Sequence, residues 1–550
     1  MRSSITIRQV LALLAICLAT MVPGIWSLPP LDRDESRYLQ ATKQMLETGD
    51  YADIRLQEAP RYKKPIGIYW LQAGAAQVTG YGEEAPVVIY RLVSVVGGVL
   101  AAMATMWLAA GMFGAGAGLL AGIAMATMVG LIFEARIAKT DAALLATVVL
   151  SQLFLARLYL MRSENSGSAR RTALAFWVFQ GLGILIKGPI VVLISGLTSI
   201  ALLIFDRNRE WIRSLHIGWG LAIIALINLP WLAWISWKSG GAFWQEAVGR
   251  DLLGKVVAGQ ESHGFPPGYY FLTYSLFVWP FGYLALRAGL SMLNRFSIDA
   301  AARFLVCWYV PFWILFELIT TKLPHYMLPA YPALAIALGW HLSDTNDDGP
   351  EKRWQIWFLR LAMMGQIIVT LGLAVAPLIL ELEIGSGITF AGVMTGVFIL
   401  VAGNIASPPG DRIRPITRIT SIAIASACAY ALLTVWVLPG IDRIWISRKI
   451  AEIVEAQKPC PDARLVITGY YEPSLVFAAG TNTQLTNIDG VIRQISTGEQ
   501  CTIVAFPANT LPVIRAKTGG AMDALMPAGQ VRGLNYSNGS QVNLFIYASN

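Results

Sequence analysis

The segment VLALLAICLATMVPGIWSLPPLDRDESRY, residues 10–38, decides how the rest of the chain is read. Its apolar run from Val10 to about Trp26 is long enough to cross a hydrocarbon layer as a helix. Arg2 and Arg8 precede the run and Pro29-Pro30 follow it. The basic start is that of a secretory leader, but no small-residue cleavage motif follows, so the run reads as an uncleaved first span. Three carboxylates come directly after it, Asp32, Asp34 and Glu35, mixed with Arg33 and Arg37. Carboxylates beside a membrane span are costly unless they are solvated or used.

The rest of the sequence has the same character. Of its 550 residues 55% are hydrophobic and only 14% are charged, and mean hydropathy is +0.55. A soluble chain carries about a quarter charged residues. Apolar segments at 9–27, 87–110, 114–133, 141–161, 172–186, 188–205, 214–236, 269–288, 303–320, 323–342, 356–379, 387–403 and 417–438 predict a polytopic α-helical membrane protein with about thirteen spans. With the N-terminus in the cytoplasm, the basic loops Arg162–Arg171, Arg207–Arg213, Arg287–Arg303, Lys352–Arg353 and Arg412–Arg418 all fall inside, as the positive-inside bias requires. The expected division is a membrane region 1–439 and an outer α/β domain 440–550. Two long outer loops, 28–86 and 238–268, interrupt the first. Within the earlier loop, Tyr38, Ala41, Met45 and Leu46 recur at helical spacing, predicting an amphipathic surface helix over Arg33–Glu47 that Gly49-Asp50 ends. In the tail, Val466–Thr468, Leu475–Ala478, Thr502–Phe506 and Val542–Ala548 read as short strands, and Ile450–Gln457 as helix. Cys460 and Cys501 are the only cysteines there, and an oxidising compartment favours a disulfide between them.

The outer side is unexpectedly basic. Arg33, Arg37, Lys43, Arg55, Arg61, Lys63, Lys64, Arg136, Lys139, Lys187, Arg250, Lys255 and Lys322 all oppose the topology signal. Each alone reads as snorkelling or loop solvation, whereas the set points to an anionic substrate at the outer surface. Four clusters carry candidate chemistry. Asp34 and Glu35 can orient an acceptor, bind a cation or take a proton. Equally, Asp34 can cap the surface helix while Glu35 favours its dipole. Arg61-Tyr62-Lys63-Lys64-Pro65 suits a lipid phosphate, or a generic headgroup contact. Glu134-Ala135-Arg136-Ile137-Ala138-Lys139-Thr140-Asp141 places a second acidic group, Asp141, on the same outer face, although a cap with ion pairs accounts for it equally. Thr321-Lys322-Leu323-Pro324-His325-Tyr326 gathers donors where the chain re-enters the membrane. Asp34, His263 and His325 leave room for a divalent cation, but their spacing is no metal signature. There is no P-loop or dinucleotide fingerprint, no cofactor is required, and nothing calls for nucleic acid.

On Asp34-Glu35-x-Arg37-Tyr38, Lys64-Pro65, Ala135-Arg136 through Asp141, and Lys322-Leu323-Pro324 with Tyr326, the chain resembles the GT-C superfamily of lipid-linked-sugar glycosyltransferases. It looks most like the bacterial transferases that move 4-amino-4-deoxy-L-arabinose to lipid A, relatives of protein O-mannosyltransferases. The resemblance covers nearly the whole chain, but the tail has no residue-by-residue match. It implies an inverting transfer in the bacterial inner membrane, from undecaprenyl phosphate-linked sugar to a lipid A phosphate, with membrane lipids around it. By that likeness Lys63 and Lys64, helped by Arg250 and Tyr326, hold the donor phosphate. Asp34, with Glu35 and Asp141, is the acidic side of the reaction. Arg37, Arg61, Arg136, Lys139, Lys322 and His325 support it or hold the acceptor. The acidic motif is shared widely, so a protein or another glycan as acceptor stays open. A lipid-linked sugar transporter is a further alternative, but motifs concentrated on one face fit alternating access less well.

Overall fold

The computed structural model describes residues 5–160, 166–254, 265–344, 352–407 and 413–549. Helices dominate. The first part of the chain contains α1 (Ile7–Met21), α2 (Asp34–Thr48), α3 (Gly67–Val78), α4 (Val87–Phe113), α5 (Ala115–Thr127), α6 (Val129–Ala135), α7 (Asp141–Leu160), α8 (Ser166–Lys187) and α9 (Ile190–Phe205). Among the described residues six helices are long and apolar enough to cross a membrane, or up to eight if each bent pair counts as one. Helix occupies each of the thirteen expected segments, but two of these segments are not straight. The 114–133 segment is α5 and α6 with a 61° bend at Met128, and 269–288 is Tyr269–Phe277 and Gly282–Arg295 with a 117° bend. In both, the apolar count is satisfied while the direction changes. Hydropathy reports burial from water and carries no information on direction.

The shared core is close-packed alanine, glycine and leucine. Gly97 on α4 lies so near the backbone of Ala142–Ala143 on α7 that an added Cβ would sit 2.7 Å from Ala143 N. Such small-residue contacts let membrane helices approach without a hydrophobic driving force between them. The helices Ile217–Lys238 and Arg353–Glu383 are mostly unburied, with 17% and 22% of their apolar windows covered, so lipid covers the remainder of their apolar surface.

The helix expected over Arg33–Glu47 forms as α2, and Gly49 in the left-handed region (φ +69) ends it. A two-residue ladder, β1 (Arg55–Leu56) with β2 (Ala59–Pro60), follows. At its other end the helix has no side-chain cap, because Arg33 sits at φ +67 and makes no such bond. A non-glycine residue there costs about 1–3 kcal/mol and persists only where its neighbours fix it. They do so here from both sides. Asp32 N–H donates to the Tyr536 hydroxyl at 2.7 Å and Ser474 donates to the Asp32 carboxylate, while Glu35 is held as described below.

The tail folds into a mixed sheet of β3 (Arg464–Ile467), β4 (Gln484–Leu485), β5 (Thr502–Pro507), β6 (Met526–Asn535) and β7 (Ser540–Ala548), in the order β4-β3-β5-β7-β6. Strands β4, β3 and β5 are parallel, while β7 pairs antiparallel with β5 and β6. Helices Ile446–Ala456 and Ile488–Ser496 belong to the same unit. One expectation fails here, and the strand β6 was not expected. Leu475–Ala478 is not a strand but part of the helix Pro473–Ala479, which Pro473 starts at its first position. A short apolar run does not distinguish the two states. Strand β6 has no sequence signal because Pro527, Gly529 and Gly533 dilute it, and pairing with β7 creates it. Cys460 and Cys501 are bonded, with Cα atoms 5.4 Å apart and a sequence separation of 41. Closing a loop of that length contributes about 4 kcal/mol in the chain-entropy account.

The domain docks onto α2 through Gln40, whose amide donates to Thr481 Oγ1 at 2.7 Å, and Glu47, which accepts from the same hydroxyl. Tyr90 meets Phe477 edge to face. Burial, reinforced by Glu472, pushes the Asp32 carboxyl up to about 6, against the bond from Ser474. A raised folded value favours the protonated form, so this contribution to docking is fully present below about pH 4 and lost as pH rises through about 6. Asp32→Asn is expected to raise the melting temperature by a few degrees at pH 8 and by only about half as much at pH 5. A thermal-shift series across pH checks this, and equal shifts at both values contradict it.

Candidate functional site

The start of α2, the 61–64 segment, the α6–α7 connection, the end of α8, Asp251 and the 321–326 segment converge on one cavity of about 110 Å³. Six basic side chains, Arg37, Arg61, Lys63, Lys64, Lys139 and Lys187, line it against three carboxylates, Asp34, Asp141 and Asp251. Tyr38, Thr140, Thr321, His325 and Tyr326 complete the polar wall.

Asp34 opens α2, and its side chain is 59% exposed into this space, 3.8 Å from Arg37. Partial burial alone would raise its pKa, but Lys139, Arg61 and Arg37 outweigh that and hold the carboxyl below its ordinary value. It is an ionised group facing the cavity and not a helix cap. Arg61 is buried and stacks over the Tyr38 ring at 5.0 Å, which fixes the guanidinium beside Asp34. Lys64 pairs with Asp251 at 2.7 Å.

On the opposite wall Asp141 begins α7. Its Oδ1 accepts from Lys187 Nζ at 2.5 Å, while Oδ2 lies 3.9 Å from Lys139. Lys139 in turn lies 3.3 Å from Glu134. Burial works against its ammonium, yet Glu134, Asp141 and Asp34 raise its pKa above that of ordinary lysine. His325 bridges the same carboxylates, at 3.8 Å from Glu134 and 3.9 Å from Asp141, and packs edge-on against Tyr326. Lys187 lies 5.9 Å from the centre of the Tyr326 ring.

Several expected site residues are elsewhere. Glu35, next to Asp34, is absent from the cavity wall and is fully engaged in packing. Arg91 on α4, itself fully buried, donates to it through Nε and Nη2, each at 2.8 Å. The backbone N–H groups of Leu31 and Ala138 donate to its two oxygens at 2.9 and 2.8 Å. Arg91 spends its other donors on the carbonyls of Ile25, Leu28 and Pro29. Arg136 is also withdrawn, donating to Thr20 O and stacking on Tyr430. Lys322 is buried and donates to Phe265 O and Ile319 O. Arg250 is 82% exposed and pairs with Glu246, while its neighbour Asp251 faces the cavity. Three cavity or near-cavity groups were not singled out by the sequence as site residues: Lys187, Asp251 and Glu134. Lys187 did appear among the outer cations, at the end of an apolar run before Gly188-Pro189, but nothing in the sequence links it to Asp141, 46 positions earlier.

Among the described residues no three His, Cys, Asp or Glu side chains form a metal-ligand group, and Lys139 and Lys187 sit against the carboxylates that would supply one. His263 lies outside the described residues.

The family described as dolichyl-phosphate-mannose-protein mannosyltransferase matches residues 6–243. The undecaprenyl phosphate-α-4-amino-4-deoxy-L-arabinose arabinosyl transferase of Pectobacterium atrosepticum is 24% identical over 392 residues, 68% of this chain and 66% of that protein. The enzyme of the same name from Pseudomonas aeruginosa PAO1 is 28% identical over 67% of this chain and 64% of its own length. The chain thus spans slightly less than two thirds of these relatives. The crystal structure of ArnT from Cupriavidus metallidurans bound to undecaprenyl phosphate superposes with a TM-score of 0.77 at 18% identity, covering 98% of this chain and 97% of that one. The chain is similar to these transferases in sequence, and its fold is that of the ArnT crystal structure.

Proposed function

We propose, with that likeness as premise, that the chain is an inverting glycosyltransferase moving 4-amino-4-deoxy-L-arabinose from undecaprenyl phosphate to a phosphate of lipid A. Its place is the periplasmic face of the bacterial inner membrane, and the added amine lowers the negative charge of the envelope. About thirteen crossings with a cytoplasmic N-terminus would put the cavity and the domain 440–550 in the periplasm. The observation that carries the reading is the cavity itself, in which six cations and an ionised Asp34 share one space.

In this reading the donor's phosphodiester lies against Lys63, Lys64 and Tyr326. The C1–O bond to that phosphate breaks as the acceptor phosphate oxygen attacks from the opposite face. The leaving polyprenyl phosphate gains a negative charge, and the lysines offset it in a site where water is scarce. A phosphate acceptor is already ionised near neutral pH and needs no base. Asp34 instead orients it, through Arg37 and Arg61, and stabilises the positive charge that develops on the sugar ring. Lys139 and Lys187 hold Asp141 and the wall behind it in position.

Reconstituted protein, given undecaprenyl phosphate-aminoarabinose and lipid A, is expected to yield aminoarabinose-bearing lipid A by mass spectrometry. Product on peptide or another glycan, with none on lipid A, rejects this acceptor. Lys64→Ala is expected to raise the donor KM by roughly 10–100-fold, the value of one charge-assisted contact. An unchanged donor dependence would move the phosphate site elsewhere.

A further inference from the structure

We propose that the tail domain takes part in the transfer by aiming Asp34: Tyr536 and Ser474 are positioning residues that act through Asp32 and the strained Arg33. This rests on the function proposed above and gives the domain 440–550 a part in the reaction that its docking alone does not.

The Asp34 carboxylate lies 3.8 Å from Arg37, beyond hydrogen-bond reach, and is more exposed than buried. Where it points is therefore set largely by the backbone on either side. One residue on, Glu35 is locked to Arg91, Leu31 and Ala138. Two residues back, Asp32 is locked to the tail, its N–H on the Tyr536 hydroxyl at 2.7 Å and its carboxylate on Ser474. Between these two anchors Arg33 is held at φ +67, a conformation that a residue with a side chain leaves when its neighbours let go. Release at Asp32 would let the turn relax, and Asp34 is the residue that the relaxation moves first.

Both tail contacts are themselves held in place. Ser474 spends its one proton on Asp32, so Ser447 donates to Ser474 at 2.6 Å and Tyr470 donates to Ser447 at 2.9 Å. That directed chain ties the contact to the helix Ile446–Ala456. Tyr536 sits in the turn between β6 and β7. Its neighbour Asn535 is buried and donates to Glu472 at 2.9 Å. The Tyr536 ring packs edge-on against Trp445, which donates to Leu438 O near the end of the last membrane-crossing candidate.

Adhesion between the two parts is supplied elsewhere. Thr481 binds Gln40 and Glu47, and Gln57 donates to Thr481 O at 3.0 Å. Those bonds lie along the middle and far end of α2 and beyond it, away from the Arg33 turn. The two contacts on Asp32 instead reach the strained residue beside the cavity. Displacing a reacting or stabilising group by about 1 Å can cost about a hundredfold in rate, so a small relaxation at Arg33 is felt in the transfer.

The test uses the full chain in nanodiscs with undecaprenyl phosphate-aminoarabinose and lipid A. Tyr536→Phe keeps the ring on Trp445 and removes the acceptor of Asp32 N–H. It is expected to lower kcat by about five- to twentyfold while the Kd for undecaprenyl phosphate stays at the wild-type value. Ser474→Ala is expected to lower kcat in the same way. Thr481→Val, which removes docking bonds far from the turn, is expected to keep the wild-type kcat. In an Asp34→Asn background Tyr536→Phe is expected to cost nothing further, because the group it aims is gone. Deuterium uptake over residues 28–38 is expected to rise in Tyr536→Phe and Ser474→Ala and to stay at the wild-type level in Thr481→Val. Wild-type kcat in both Tyr536→Phe and Ser474→Ala, or the same fold-loss from Tyr536→Phe with and without Asp34, overturns the proposal. A wild-type protein with no activity on lipid A sinks the proposed function instead, and equal uptake in all four proteins then sinks the positioning as well.

Discussion

Asp34→Asn is expected to cut transfer by about a hundredfold or more while the protein still folds, extracts and melts like the wild type. The loss is of the order seen when one preorganised charge-stabilising group is removed from an enzyme site. Its expected separation from stability follows from where Asp34 sits. The side chain is more exposed than buried, faces a polar space and caps no helix end, so an isosteric amide leaves the packing untouched. What changes is the charge. Asp34 is held ionised by Lys139, Arg61 and Arg37, and neutralising it removes the one carboxylate that faces those cations from α2. The measurement is mass spectrometry of lipid A from cells lacking the native protein and carrying the variant at matched expression. Near-normal modification would take Asp34 out of the mechanism.

Glu35→Ala, one residue along, is expected to do the reverse and cost the fold. Removing one partner of a buried ion pair destabilises by about 3–5 kcal/mol, because the other charge is left uncompensated. Here Arg91 would be that charge, with no exposure to water. The N–H groups of Leu31 and Ala138 would lose their acceptors as well. Domains are stable by only about 5–15 kcal/mol, so the variant should appear as poor yield and aggregation on size-exclusion chromatography. Arg91→Met should behave in the same way. A Glu35→Ala protein that extracts in normal amount and is monodisperse, yet inactive, would return Glu35 to the chemistry.

These two neighbours show where a sequence reading stops. Asp34 and Glu35 share a motif, a charge and a position at the start of a helix, and the letters treat them alike. Consecutive helical residues point about 100° apart, so one faces the cavity and the other faces α4. Which is which depends on Arg91, 56 positions away. Arg250 and Asp251 repeat the pattern, with the expected donor exposed and its neighbour in the wall. Lys187 joins Asp141 only because α7 and α8 pack side by side.

By itself the sequence determined the membrane character, the helical segments, α2 among them, and the motifs whose residues line the cavity. Those depend on hydropathy, period and local charge, which are properties of short stretches. Tertiary structure alone decided which carboxylate faces the cavity, which cations are spent on carbonyls, and where two apolar segments bend. Each of these depends on what a side chain meets across the fold, where burying a charge forces it to find a partner.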